Sequence, residues 1–135
     1  MQCMYNLAAD NNTFTLLEFE MSVGRSSANV VEMSSGRFWM TGGLDNSLST
    51  SIMKSTDIFH TANRSFTPGP NLPYNLCAHC VIRTPADAYI LIGGLRPTHQ
   101  RLVRKYDFAT NAWTSLPNMP RPTAVYNACL SLIHI

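Results

Sequence analysis

The sequence predicts an all-β chain assembled from tandem modules, and three observations predict it. Segments 28–32, 37–41, 88–92 and 102–106 are short, apolar or aromatic, and bounded by Gly, Pro, Asn, Asp and Ser, the chemistry of strands separated by turns. No segment reads as a long amphipathic helix. The third observation is a repeat. Phe38-Trp39-Met40-Thr41-Gly42-Gly43 is followed by a polar loop, Phe59, Phe66 and Pro68-Gly69-Pro70-Asn71-Leu72-Pro73. Tyr89-Ile90-Leu91-Ile92-Gly93-Gly94 is followed by its own polar loop, Tyr106, Trp113 and Ser115-Leu116-Pro117-Asn118-Met119-Pro120.

In chain order, residues 1–21 read as part of a module, with Tyr5 and Phe14 near the two aromatic positions. Residues 22–71 are the first full module. Its strands at 28–32 and 37–41 lead into Gly42 and Gly43, which leave no side chain where the backbone is crowded and permit angles that other residues resist. Residues 72–118 are the second module. Phe59 to Tyr106, Phe66 to Trp113 and Pro73 to Pro120 are each 47 apart, whereas the glycine pairs are 93 − 42 = 51 apart, so the first polar loop is 51 − 47 = 4 residues longer. A constant period with one variable loop is the mark of a repeat with tolerant surface connections. The large rings are expected between modules, where burial of each contributes about 1.5–3 kcal/mol. Prolines at 68, 70, 73, 117, 120 and 122 lack an amide donor and blunt strand ends. Residues 119–135 begin a further module and stop.

This arrangement resembles the kelch repeat over nearly the whole chain. In kelch modules a strand closes with a double glycine, a Tyr-Asp-like pair sits on the next strand outward, and a Trp follows seven residues after the Tyr. Gly93-Gly94, Tyr106-Asp107 and Trp113 match fully; Gly42-Gly43 matches, while Phe59, His60 and Phe66 replace Tyr, Asp and Trp, keeping the rings and losing hydroxyl and indole hydrogen bonds. The resemblance implies four-stranded antiparallel blades of a β-propeller. Propellers close with about 4–8 blades, and a module cannot bury its faces without neighbours. The chain is therefore expected to be an internal fragment of a longer protein, and to self-associate when isolated.

Composition narrows the function. Lys and Arg exceed Asp and Glu by only 10 − 8 = 2, with 13% charged and 45% apolar residues, which fits neither a nucleic-acid binder nor a disordered chain. The densest basic stretch, Arg96, Arg101, Arg104 and Lys105, reads as solvated loop and edge positions. No run of about 18 apolar residues is present to cross a membrane as a helix. Among Cys3, Cys77, Cys80 and Cys129, only Cys77-Ala78-His79-Cys80 looks like a motif. A zinc site needs four convergent ligands, and on a strand Cys77 and His79 would face one side and Cys80 the other. No metal or cofactor is expected, and the thiols read as buried or edge groups in a reducing, cytoplasmic compartment. Asn11-Asn12-Thr13 and Asn63-Arg64-Ser65 are glycosylation sequons in turns before the outermost strand, and they lend weight to a secreted alternative. None of the eight carboxylates forms a spaced acid/base pair with a histidine, and no nucleophile elbow, phosphate loop or metal-protease helix occurs. A non-enzymatic role is expected.

A rigid scaffold with variable loops is a binding surface. Kelch-like propellers bind partner peptides through the loop after the double glycine and the loop leading into each blade. By position these are 44–52 and 95–102, and 21–25, 74–76 and 121–123. The candidate contact residues are Asp45, Asn46, Ser47, Asn75, Arg96, His99, Arg101 and Arg121. Arg96 and Arg101 can grip a carboxylate in bidentate fashion, so an acidic or phosphorylated peptide is the expected ligand class. The resemblance implies an intracellular adaptor or scaffold, such as a ubiquitin-ligase substrate receptor or an actin-associated protein. The alternatives are a copper oxidase or sialic acid epimerase of the same fold, or a secreted binding propeller.

Overall fold

The computed structural model describes residues 5–7, 14–16, 21–45 and 51–124. All its described sheets are antiparallel, and no helix occurs among the described residues. Strands β1 (Tyr5–Leu7) and β2 (Phe14–Leu16) form a hairpin. The short β3 (Arg25–Ser26) precedes β4 (Asn29–Glu32) and β5 (Arg37–Thr41), then come the short β6 (Leu44–Asp45) and β7 (Ser51–Ile52), then β8 (Thr56–His60) and β9 (Ser65–Pro68). The second half runs through β10 (Cys80–Arg83), β11 (Tyr89–Ile92), the short β12 (Leu95–Arg96) and β13 (Thr98–His99), β14 (Val103–Asp107) and β15 (Ala112–Leu116). Two four-stranded meanders result, ordered β4-β5-β8-β9 and β10-β11-β14-β15, with β3-β6-β7 and β12-β13 as small satellite sheets.

The two meanders share one register. Phe38 pairs with Phe59 and Phe59 with Phe66; Tyr89 pairs with Tyr106 and Tyr106 with Trp113. The offsets are 89 − 38 = 51, then 106 − 59 and 113 − 66, both 47, so the sequence repeat is a repeat of strand pairing. Bonds outside the ladders repeat too. Gly43 N donates to Leu76 O and Gly94 N to Thr123 O, both at 2.9 Å; Met53 N donates to Gly43 O at 2.9 Å and Gln100 N to Gly94 O at 2.8 Å.

These bonds explain the paired glycines. Gly42, Gly43, Gly93 and Gly94 have φ of 55°, 98°, 60° and 105°, a region L side chains resist. A Cβ on Gly42 would collide with the Leu76 carbonyl oxygen, and one on Gly93 with the Thr123 carbonyl oxygen. The segment leading into the following module crowds the first glycine of each pair, and the segment leading into the same module crowds the second: Ser26 and Ala28 against Gly43, Leu76 and His79 against Gly94.

The core lies between the meanders and centres on Trp39, which is 0% exposed. From β5 its ring reaches Tyr89 (5.4 Å between centroids, edge-on), Tyr106 (5.6 Å), Phe108 (5.2 Å) and Trp113 (6.3 Å) of the second meander. Val31, Ile58, Leu72, Leu76 and Leu91 fill around it. Such offset and T-shaped ring contacts add to simple area burial.

Four sequence expectations are corrected. Tyr5 pairs with Leu16, while Phe14 pairs with Leu7; the seven-residue spacing of the later modules therefore belongs to Leu7 and Phe14, and Tyr5 stands two residues too early. Trp113 is half-buried rather than a core ring, although its Nε1 donates to Asn71 O at 3.0 Å. Cys77 and His79 precede the first strand of the second meander, which starts at Cys80, so strand alternation does not sort them. The expected strands at 28–32, 88–92 and 102–106 each begin one residue later than read.

Candidate binding surface

In a meander, alternate connections fall at opposite ends of the sheet. Turns 33–36, 61–64, 84–88 and 108–111 occupy one end. Arg64 and Asn111, 111 − 64 = 47 apart, both close their turns with φ 53°. Connections 42–45 with 51–55, 69–79, 93–102 and 117–124 occupy the other end, tied together by the backbone bonds at the glycine pairs and by Leu72 N to Lys54 O and Met119 N to Arg101 O, each 2.8 Å. Topology thus brings the described parts of the loops read as candidates from sequence to a common end.

Their residues differ in exposure. His99, Asn75 and Arg121 are exposed. Arg101 is exposed and donates from Nε to Met119 O at 2.9 Å. Arg96 is exposed, with its guanidinium carbon 4.9 Å from the centroid of the Tyr74 ring, a cation–π contact. Asp45 is half-buried at the end of β6. Asn46 and Ser47 lie outside the described residues, as do Asn11-Asn12-Thr13. Among the repeat positions, Phe59 and Tyr106 are buried and Phe66 is half-buried. Tyr106 Oη donates to Asn111 Oδ1 at 3.1 Å, a bond Phe59 lacks.

Arg25 departs from its expected place in a solvated loop. It is 4% exposed and its Nη2 donates to Asp57 Oδ2 at 2.6 Å; its Nη1 donates to Gly42 O at 3.0 Å and Ser55 O at 2.9 Å. Ser22 Oγ donates to Asp57 Oδ1 at 2.8 Å. A buried pair is tolerable only when hydrogen bonds satisfy both ions in this way. The network pins the segment leading into the first module to β8 and to the carbonyl of Gly42. Sequence reading missed it because its partners are 32 residues apart. The signal available was asymmetry between copies: Leu76 and Arg104 stand 51 and 47 residues on from Arg25 and Asp57.

His79 is buried beside both glycine pairs. Its Nε2 lies 2.8 Å from Thr41 Oγ1, which also reaches Asn29 O at 3.4 Å. The neutral tautomer with Nε2–H donating to Thr41 lets the Thr41 hydroxyl donate to Asn29, and leaves Nδ1 a bare acceptor without a partner among the described residues. Burial lowers its pKa to about 4. Cys77 is a buried free thiol whose pKa burial pushes up, the opposite of an activated thiolate. Cys80 is disulfide-bonded, so the expectation of reduced thiols fits Cys77 and not Cys80.

Chemically, this end offers guanidiniums, a phenol and backbone groups. Among the described residues no three His, Cys, Asp or Glu side chains gather as a metal site, and no helix is long and apolar enough to cross a membrane. No protein-family model and no curated protein matches the chain.

Proposed function

We propose that this chain is part of a kelch-type β-propeller that binds a protein or peptide partner through the loops at the glycine-pair end of its sheets. The observation that carries the reading is the repetition of strand order, register and connecting hydrogen bonds at offsets of 51 and 47. It supports blades of one design whose variable segments all emerge at one end. An intracellular adaptor or scaffold is the parent we favour, with an acidic or phosphorylated peptide as ligand. Ubiquitin-ligase substrate receptors and actin-associated proteins are the parent classes to examine. Exposed strand edges and inter-module faces favour self-association of the chain in isolation.

The test is selection of peptides from a displayed library on the immobilised chain. Selected peptides should lose binding when Arg96, His99 and Arg101 are replaced by Ser and keep it when Arg64 and Asp87, at the turn end, are replaced. No enrichment, or equal sensitivity at both ends, overturns the binding reading. A structure of the parent protein tests the propeller, since an open stack of sheets would exclude a closed ring of blades.

A secreted binding propeller is the second reading, and two observations favour it. Cys80 is disulfide-bonded, which fits an oxidising compartment, and Asn63 of the second sequon is exposed in a turn. Alkylation of the protein in its native cells separates the two: a free Cys80 thiol supports the cytoplasmic reading, and a blocked Cys80 with a glycan on Asn63 supports secretion.

A further inference from the structure

The second module lacks a carboxylate that the first module has. In the first, a guanidinium (Arg25) and a hydroxyl (Ser22) on the incoming segment converge on the carboxylate of Asp57 on β8. In the second, the place of Asp57 on the strand is taken by Arg104 on β14, and the place of Arg25 by Leu76. Arg104 shares the sheet face of Tyr106, since strand residues two apart lie on one side. The incoming segment there supplies Tyr74, whose hydroxyl oxygen is buried with no hydrogen-bond partner among the described residues. Arg96 lies over the ring of that same tyrosine. Burial raises the Tyr74 pKa, and Arg104 and then Arg96 act against that rise, so both cations sit within electrostatic reach of the phenol. Ion pairs among the described residues are Arg25–Asp57 and Arg83–Asp87; neither Arg96 nor Arg104 is in one. Among the described residues the Arg104 guanidinium donates to Val103 O, at 3.0 Å, on its own strand.

We infer that Arg104, Arg96 and the Tyr74 hydroxyl form a site for one carboxylate, supplied by an Asp or Glu side chain of a bound peptide. The donor set is the one that holds Asp57, two kinds of N–H and O–H donor facing one acid, with the acid removed from the chain. Arg104 is half-buried and Arg96 exposed; like charges brought to one phenol repel each other, and a carboxylate relieves that repulsion. The inference rests on the reading of this end as the binding end, and replaces the Arg96–Arg101 grip expected from sequence with Arg96–Arg104.

The experiment is a titration of the full chain, followed through the arginine side-chain Nε–Hε signals by nuclear magnetic resonance. The probes are Ac-Gly-Asp-Glu-Gly-NH2, its amide counterpart Ac-Gly-Asn-Gln-Gly-NH2, and inorganic phosphate. The acidic peptide should shift the Arg104 and Arg96 signals saturably, and the amide peptide should not. Arg104→Gln should weaken the acidic peptide at least tenfold, and Arg64→Gln, at the far end, less than twofold. If Arg104→Gln fails to fold, the wild-type signals and the exposed Arg96→Gln decide. Phosphate binding more tightly than the peptide overturns the carboxylate assignment. Saturable shifts at Arg101 and Arg121 without Arg104 overturn this site and leave the binding end standing. Absence of any shift at this end overturns both.

Discussion

At the scale of single residues, the most informative side chains are three buried polar ones, Arg25, Asp57 and His79. Arg25 and Asp57 form a salt bridge at 2.6 Å with side-chain exposures of 1% and 2%. Removing one partner leaves an uncompensated buried charge, so Asp57→Ala is expected to lose about 3–5 kcal/mol in urea unfolding, and Arg25→Met with Asp57→Leu to recover most of it. A loss below about 1 kcal/mol would mean the pair is solvated. His79 makes a pH prediction. Its folded pKa of about 4 lies below the 6.5 of the unfolded chain, so the unfolded state binds the extra proton first. The contribution is complete above pH 6.5 and is lost as pH falls toward and through 4, roughly 3 kcal/mol in all. Urea midpoints at pH 7, 5.5 and 4.5 should fall for the native chain and show a flatter trend in His79→Asn; equal slopes would contradict the assignment.

At the scale of elements, the glycine pair is where two modules are joined. Gly43→Ala places a side chain at φ 98° against the Ser26 carbonyl and the Ala28 side chain, and strain of that kind costs about 1–3 kcal/mol before any clash. Gly24→Ala, where a Cβ meets nothing within 4 Å, is the control and should change stability by less than about 0.5 kcal/mol. The glycines, the strands and the seven-residue aromatic spacing were legible in the sequence because each is local and occurs twice. The Arg25–Asp57 pair and the central role of Trp39 were not, since Ile90 and Arg104 occupy the matching places in the second copy and no period announces them. The connections at 74–76, 95–102 and 121–123 were legible as loops from their polar, Pro- and Gly-flanked composition. The Arg96–Tyr74 contact was not legible, because the two meet through the backbone bonds between Cys77 and Leu95 that fold 69–79 against the neighbouring connection. Tyr5 misled because an aromatic is a stronger signal by eye than the correctly spaced Leu7.

For the whole molecule, the joint between meanders decides cohesion. Trp39→Ala removes the ring against which four rings of the second meander pack, and should cost about 3–5 kcal/mol. Trp113→Ala should cost clearly less, because that ring is half-buried; equal losses by chemical unfolding would place the joint elsewhere. The connections at the glycine pairs carry one more implication. Met53 N to Gly43 O and Gln100 N to Gly94 O close both of them with equivalent bonds, although one is four residues longer than the other. Length added inside such a closure lies outside the eight strands of the two meanders. Lineages could therefore lengthen or rewrite these loops one at a time, acquiring new partners without renegotiating the scaffold, and a protein engineer could add a foreign epitope inside the Gly43–Met53 closure on the same terms.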